Sequence, residues 1–115
     1  MAKRNFIDTD MKATVLKIGI LRHMLNKSVN SYTILKDFSS SRRFARYIDK
    51  NDMKNEIYNT INSLENSGYI KSSKKIENGR LKNYYKLTSK GTSTLKSAGR
   101  LFRVHIKALK ALLSE

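Results

Sequence analysis

The sequence predicts a mainly α-helical fold that carries one β-hairpin and ends in a long helix. Three observations predict it: apolar residues recur at helical spacing in four segments, an Asn-Gly pair sits between two alternating segments, and no proline interrupts the chain. With 115 residues, of which 39% are hydrophobic, the chain is long enough for one domain with a modest core.

The first two helices are expected in the N-terminal third of the chain. The first is predicted from about Thr9 to Asn26 and is apolar on two sides. Two apolar sides predict two neighbours, namely the core of its own chain and a second neighbour such as a partner subunit. Leu21 is among the residues expected to contact a partner subunit. Ser31 is expected to cap a short second helix. For residues 39–50 the pattern leaves helix, loop and short strand open.

The helix predicted for residues 52–66, capped by Asn51 or Asp52, has an apolar side and an asparagine side. The apolar side holds Met53, Ile57, Ile61 and Leu64, and the opposite side holds Asn55, Asn59, Asn62 and Asn66, flanked by Tyr58 and Lys54. Because asparagine is a mediocre helix former, helix stability does not explain four of them on one face. Its amide can pair with adenine in the major groove of DNA. The alternative is an AT-rich gene that enriches asparagine throughout the chain.

The hairpin is predicted for residues 70–87, with Asn78-Gly79 as its turn. This register puts Ile70, Ile76, Leu81, Tyr85 and Leu87 on an inner face and Lys71, Lys75, Lys82, Tyr84 and Lys86 on an outer face. Lysines directly opposite each other destabilise an isolated hairpin, so the pattern favours contact with phosphates, to which Arg80 would add.

The last helix, predicted from about Thr92 to Ser114, carries an apolar seam opposite a basic sector. The seam consists of Leu95, Ala98, Phe102, His105, Leu109 and Leu112, and Leu101, Ile106 and Leu113 widen it. One small subunit cannot cover such a seam, which predicts a homodimer. We expect residues 1–91 to form a domain in which the hairpin projects as a wing, and residues 92–115 to form the dimerisation helix of the same compact unit.

The charge indicates a polyanionic partner. The chain has 24 Lys+Arg against nine Asp+Glu, a net charge of +15, and residues 71–115 alone carry +10. A polyanion relieves this self-repulsion through counterion release. An anionic membrane surface and RNA are the other candidates, but the apolar seam is explained by dimerisation and no RNA-binding module is recognisable.

Other functions find little support in the sequence. Without cysteine, and with His23 and His105 on different helices, neither a catalytic site nor a metal site nor a cofactor is expected. No apolar run reaches the roughly 20 residues of a membrane span. The first ten residues turn acidic where a signal peptide needs its apolar segment, so we expect a cytoplasmic protein that associates with the nucleoid or a plasmid.

Two segments resemble the PadR-like family of transcriptional regulators. They are IYNTINSLENSGYI at 57–70 and NGRLKNYYKLTSKG at 78–91, and the matching residues are Tyr58, Leu64, Gly68, Gly79, Tyr84, Tyr85, Leu87, Thr88 and Gly91. The resemblance covers about residues 11–110. It implies a winged helix-turn-helix that dimerises through its first and last helices, with the 51–66 helix in the major groove and the wing on the backbone or minor groove. Phe102 stands where small members often carry a tryptophan that lines a ligand pore, so the resemblance does not predict an effector.

The predicted function is therefore that of a dimeric, sequence-specific regulator of transcription that binds double-stranded DNA. The predicted DNA contacts are Arg42, Arg43, Arg46, Lys54, Asn55, Tyr58, Asn59, Asn62, Lys71, Lys75, Arg80, Lys82 and Tyr84. The alternative is a partition or chromatin-like protein that spreads along DNA, which the arginines of the 39–50 segment would suit. The operator and any further protein partner stay open.

Overall fold

Four helices and a three-stranded antiparallel sheet make up the computed structural model, which describes residues 11–42 and 48–114. The order is α1 (Met11–His23), β1 (Val29–Asn30), α2 (Ser31–Ser40), α3 (Lys50–Asn66), β2 (Ile70–Glu77), β3 (Arg80–Leu87) and α4 (Ser89–Leu113). The predicted mainly α fold with a β-hairpin wing and a long last helix is confirmed.

The core lies where the three N-terminal helices and the start of α4 meet the base of the sheet. Its buried hydrophobic residues are Leu16, Ile20, Leu21, Met24, Val29, Ile34, Phe38, Ile48, Met53, Ile57, Ile61, Leu64, Ile70 and Leu95. Every member of the apolar side predicted for α3 is among them. Since a buried aliphatic side chain contributes about 1.5–3 kcal/mol relative to its exposed state, this face fixes the orientation of α3.

The sheet contains a short strand that the sequence pattern did not predict. β3 lies in the middle, between β2 and the two-residue β1, whose Val29 and Asn30 pair with Tyr85 and Tyr84. Asn30 is also the N-cap of α2, because its side chain accepts the Thr33 N–H at 2.7 Å. The prediction that Ser31 caps this helix is therefore wrong by one residue.

Helix boundaries differ from the predictions at three further points. α1 ends at His23 and not at about Asn26, whose φ of 63° lies in the left-handed region. Asp49 is the N-cap of α3 and its carboxylate accepts the Asn51 N–H at 3.0 Å, so neither Asn51 nor Asp52 has that role. The last helix begins at Ser89 because Thr88 caps it, accepting the Gly91 N–H at 3.1 Å. Both capping residues lie in the short segments before the helices, and the periodicity of apolar residues within a helix does not indicate which residue caps it.

Candidate nucleic-acid interface

The exposed side of α3 presents a row of amides to solvent. Asn55, Asn59, Asn62 and Asn66 are all exposed and form what we call the asparagine face. They lie opposite the buried side of the helix because residues three and four apart share one side of an α-helix. An uncharged face of donors and acceptors on a packed helix can form hydrogen bonds with base edges.

The flanks of the asparagine face are held by neighbouring elements. On one side, Lys12 of α1 lies with its Nζ 3.3 Å from Glu56 Oε1. On the other, Ser72 of β2 donates a hydrogen bond to Glu65 Oε2 at 2.6 Å. Tyr85 lies near the same carboxylate, and burial first, then the charge of Glu65, raise the pKa of its phenol. Both flanks of α3 are therefore tied to the rest of the domain.

The hairpin has the register that its turn predicts. Asn78 and Gly79 have φ of 52° and 75°, the two positive values of a type I′ turn. Strand pairing then places Lys71 opposite Lys86 and Lys75 opposite Lys82. These four exposed lysines form the lysine face of the wing. Their mutual repulsion costs stability in the free protein, and a bound polyanion would relieve it.

Glu77 and Tyr84 organise the lysine face. The Tyr84 hydroxyl donates to Glu77 Oε1 at 2.6 Å, and this bond is the main reason that the pKa of Tyr84 is raised. Lys82 Nζ lies 3.8 Å from the other carboxylate oxygen, and Lys75 Nζ lies 5.0 Å from the centroid of the Tyr84 ring. One carboxylate and one aromatic ring thus restrain two lysines while leaving the face strongly positive.

A junction of hydrogen bonds connects the end of α3, the wing and the start of α4. The Tyr69 carbonyl accepts the Thr88 N–H at 3.1 Å, and the Thr88 hydroxyl lies 2.7 Å from the Gly68 carbonyl. Lys90 donates from its Nζ to the Ser67 carbonyl at 2.7 Å. This junction holds the base of the wing beside the end of α3, so the asparagine face and the wing keep a fixed relation.

The second half of α4 extends beyond the core. Beyond Ala98 no residue of the helix is buried, and its exposed large apolar side chains are Leu101, Val104, Ile106, Leu109, Leu112 and Leu113. We call residues 101–113 the exposed end of α4. An apolar surface on one end of a helix, with no cover from the described part of its own chain, is typical of a protein interface.

The predicted site residues fall into three groups. The described wing and α3 residues are solvent-accessible: Tyr58 and Tyr84 are half-buried, and the rest are exposed, namely Lys54, Asn55, Asn59, Asn62, Lys71, Lys75, Arg80 and Lys82. In the connector, Arg42 is exposed, and Arg43 and Arg46 lie outside the described residues. Of the predicted dimer residues, Phe102 is half-buried, and His105, Leu109 and Leu112 are exposed.

Two predictions of burial need correction. Leu21, Leu95 and Ala98, expected in a dimer interface, are only 0%, 8% and 5% exposed because they pack into the core of their own chain. Ile76 and Leu81, expected on a covered inner face of the hairpin, are 76% and 62% exposed because the wing outreaches the core. The register was right, but the length of the wing relative to the helices was not evident from the strand pattern.

Asn30 and Glu77 are the positions that the sequence interpretation missed. Asn30 joins α2 to the sheet, because it caps the helix and pairs with Tyr84 of β3. Glu77 restrains the lysine face. An Asn directly before an apolar helix could have indicated the cap, but no local signal indicates a two-residue strand.

Helices α1–α3, the hairpin and the basic and amide surfaces together define a winged-helix DNA-binding fold. Residues 20–97 match the model of the Transcriptional regulator PadR-like family. Since the match covers well over half of its length, the chain belongs to this family of transcriptional regulators. Comparison with curated proteins gives no match.

Solved structures share the fold. A PadR family transcription regulator from Clostridium difficile superposes with a TM-score of 0.72 at 22% identity, over 86% of this chain and 98% of that one. A transcriptional regulator from Clostridium thermocellum gives 0.72 at 22% identity, over 91% and 96%. Bacillus subtilis PadR, solved in complex with operator DNA, gives 0.59 at 25% identity, over 72% of this chain and 45% of that one. Among the helices that the structure describes, we find no candidate for a membrane span.

Proposed function

We propose that this transcriptional regulator binds double-stranded DNA as a homodimer, with the asparagine face of α3 in the major groove and the lysine face of the wing on phosphates. The observation that carries the proposal is the fixed pairing of two chemically different surfaces. An uncharged amide surface suits base edges, whereas clustered lysines suit phosphates. The operator complex of Bacillus subtilis PadR supports the choice of DNA as partner.

The dimer is supported by the exposed end of α4. The 25-residue helix is about 37 Å long at 1.5 Å per residue, and its buried residues all lie between Ser89 and Ala98. Leu109, Leu112 and Leu113 are 55%, 76% and 80% exposed. Two copies that pair these surfaces would remove them from water, and the two-fold symmetry of such a dimer would supply one α3 for each of two half-sites.

A footprinting titration tests the proposal. Duplexes from the neighbourhood of the protein's own gene are incubated with increasing concentrations of the protein, and the positions protected from cleavage are mapped. A regulator gives one bounded footprint with two protected half-sites, whereas the coating alternative gives protection that lengthens with concentration. No comparison supports coating.

Salt dependence provides a second measurement. If six lysines or arginines of a dimer neutralise phosphates, log Kd should rise with log salt with a slope of about 5. A salt-independent affinity would contradict phosphate binding by the wing, and a monomer in sedimentation equilibrium at micromolar concentration would contradict the dimer.

A further inference from the structure

A row of basic side chains runs along α4 on the side opposite its apolar seam. The row consists of Lys96, Arg100, Arg103, Lys107 and Lys110, and every member is exposed. Because they recur alternately four and three residues apart, they share one sector of about 80° of the helix circumference. The row is about 21 Å long at 1.5 Å per residue. We call these residues the basic row.

Interactions within the free protein do not account for the basic row. Its members lie three or four residues apart, and like charges at that spacing destabilise a helix. α4 contains no acidic residue, and the ion pairs found among the described residues do not include any member of the row. The helix dipole favours a cation in the last turn, which explains only Lys110. The other members raise the energy of the free protein, and an anionic partner would lower it.

The basic row and the asparagine face point in different directions. α1 packs against both α3 and α4, whereas α3 and α4 make few contacts with each other. The asparagine face lies opposite the buried side of α3, and the basic row lies opposite Gly91, Leu95 and Ala98, the buried residues of α4. Each surface therefore faces outward from the domain on its own side of α1. A duplex on the asparagine face leaves the basic row of that subunit uncovered.

The composition of the basic row favours phosphates over a protein or membrane surface. No apolar side chain lies within its sector, because the apolar residues of α4 occupy other sides of the helix. A protein interface has an apolar centre, and a helix that lies on a membrane inserts apolar residues beside its basic ones. Phosphates require only cations. At about 3.4 Å of duplex axis per base pair, the row spans about six base pairs.

We propose that the basic row binds the phosphates of a second duplex segment, so that one dimer bridges two segments of DNA. This inference rests on the proposed function, because it needs the asparagine face and the wing on the first segment. Two-fold symmetry supplies two rows per dimer, and a dimer formed through the seam leaves both exposed because they lie on the other side of each helix.

Bridging makes the two contacts of the dimer chemically different. The second segment is held through phosphates alone, so its binding has no sequence preference and is weaker than that of the operator. A dimer on its operator would thereby hold a distant segment of the same DNA and close a loop. Unlike coating, bridging needs one dimer per operator and leaves the footprint bounded.

Capture of a second duplex by an immobilised complex tests the inference. A biotinylated duplex that contains the footprinted site is fixed to streptavidin beads and loaded with protein. Excess protein is washed away, and a fluorescent duplex of unrelated sequence is added at low salt. Both the protein and the fluorescent duplex that remain on the beads are then quantified.

Two variants with the same net charge are compared with the wild type. The row variant carries Arg100→Glu with Lys107→Glu. The control carries Arg22→Glu with Lys36→Glu, at exposed positions of α1 and α2. Because both variants lose the same amount of positive charge, a difference between them reports the position of the charge and not its total.

The wild type and the control are expected to retain the fluorescent duplex, and the row variant to retain about tenfold less of it. The row variant should occupy the beads as fully as the control does, because the operator contacts are intact. Raising the salt concentration should release the fluorescent duplex from the wild type before the protein leaves the beads, since the second contact is purely electrostatic.

Several results would overturn the inference and leave the proposed function standing. They are a wild type that captures no second duplex and a row variant that captures as much as the control. Lower occupancy of the beads by the row variant than by the control would show that the row contacts the operator duplex itself. A row variant that sediments as a monomer would place the row in the subunit interface. Row-dependent binding to phosphatidylglycerol vesicles without duplex capture would assign the row to a membrane surface.

A wild type that binds no duplex at all would overturn both the inference and the proposed function. Circular dichroism verifies that each variant is folded. The row variant should be at least as stable as the wild type, because the substitutions turn repulsive pairs along the helix into attractive ones.

Discussion

Replacing Gly91 by alanine should destabilise the protein severely, because the backbone of Tyr69 occupies the space that a side chain would need. A Cβ built on Gly91 would lie 1.9 Å from the Tyr69 carbonyl oxygen and 3.2 Å from Leu87 Cδ2. Ordinary contact begins at about 3.4 Å, so the two backbones would have to separate by about 1.5 Å. The same carbonyl accepts the Thr88 N–H, and that hydrogen bond would be strained or lost.

The magnitude follows from three contributions. Overpacking a close contact costs about 1–3 kcal/mol, and a lost hydrogen bond costs about 1 kcal/mol. Alanine gains at most about 1 kcal/mol over glycine in a helix. The net loss is about 1–3 kcal/mol in the free energy of unfolding, which corresponds to a decrease of about 5–15 °C in Tm for a chain of this size.

Gly99 on the same helix is the matched control. A Cβ there would meet only the end of the Arg103 side chain, at 3.8 Å. Gly99→Ala should therefore stabilise the protein by about 0.5–1 kcal/mol through helix propensity alone. Thermal unfolding followed by circular dichroism, at one fixed protein concentration because association shifts Tm, measures both variants. A Gly91→Ala protein as stable as the wild type would refute the close approach of α4 to the end of α3.

Three further predictions concern binding. For at least one residue of the asparagine face, replacement by alanine should cost about 1–3 kcal/mol of binding free energy on the preferred site and relax the preference at one base pair. Affinity for unrelated duplexes should stay unchanged, and titrations against a panel of single-base operator variants measure both effects. Equal losses of affinity on every sequence would mean that these residues contact the DNA backbone instead. Reversing Lys75 and Lys82 to Glu should weaken binding to all duplexes alike while the fold survives, and unchanged anisotropy titrations would place the wing away from DNA. Changing Phe102 and Leu109 to Asp should give monomers in sedimentation equilibrium. These monomers should lose most of their affinity for the operator, because a monomer lacks the contacts that the second subunit makes with the other half-site. A variant that remains a dimer would show that the interface lies elsewhere.

The sequence predicted those elements whose signals are local. The Asn78-Gly79 turn set every strand pair of the hairpin, because a two-residue loop allows one register. The apolar side of α3 was predicted completely, since helical periodicity over many residues is a strong signal.

What the sequence did not reveal depends on contacts between distant segments. The two residues of β1 become a strand only because β3 lies beside them, far along the chain. Leu95 and Ala98 continue the same apolar stripe as Leu109, and only the position of the core shows that the first two are covered by their own chain. Periodicity indicates which side of a helix is apolar, but it does not indicate what covers each part of that side.

The position of β2 at the open edge of the sheet has a consequence for the behaviour of the protein in solution. An edge strand offers unpaired backbone groups to any other chain, and eight residues are long enough for edge-to-edge aggregation. Lys71, Lys74 and Lys75 keep such strands apart by repulsion. High salt, which would detach bound nucleic acid during purification, also screens this repulsion. The conditions that free the protein from DNA are therefore those in which its own wings can pair, and colloidal stability should be lowest in concentrated, DNA-free, high-salt solutions.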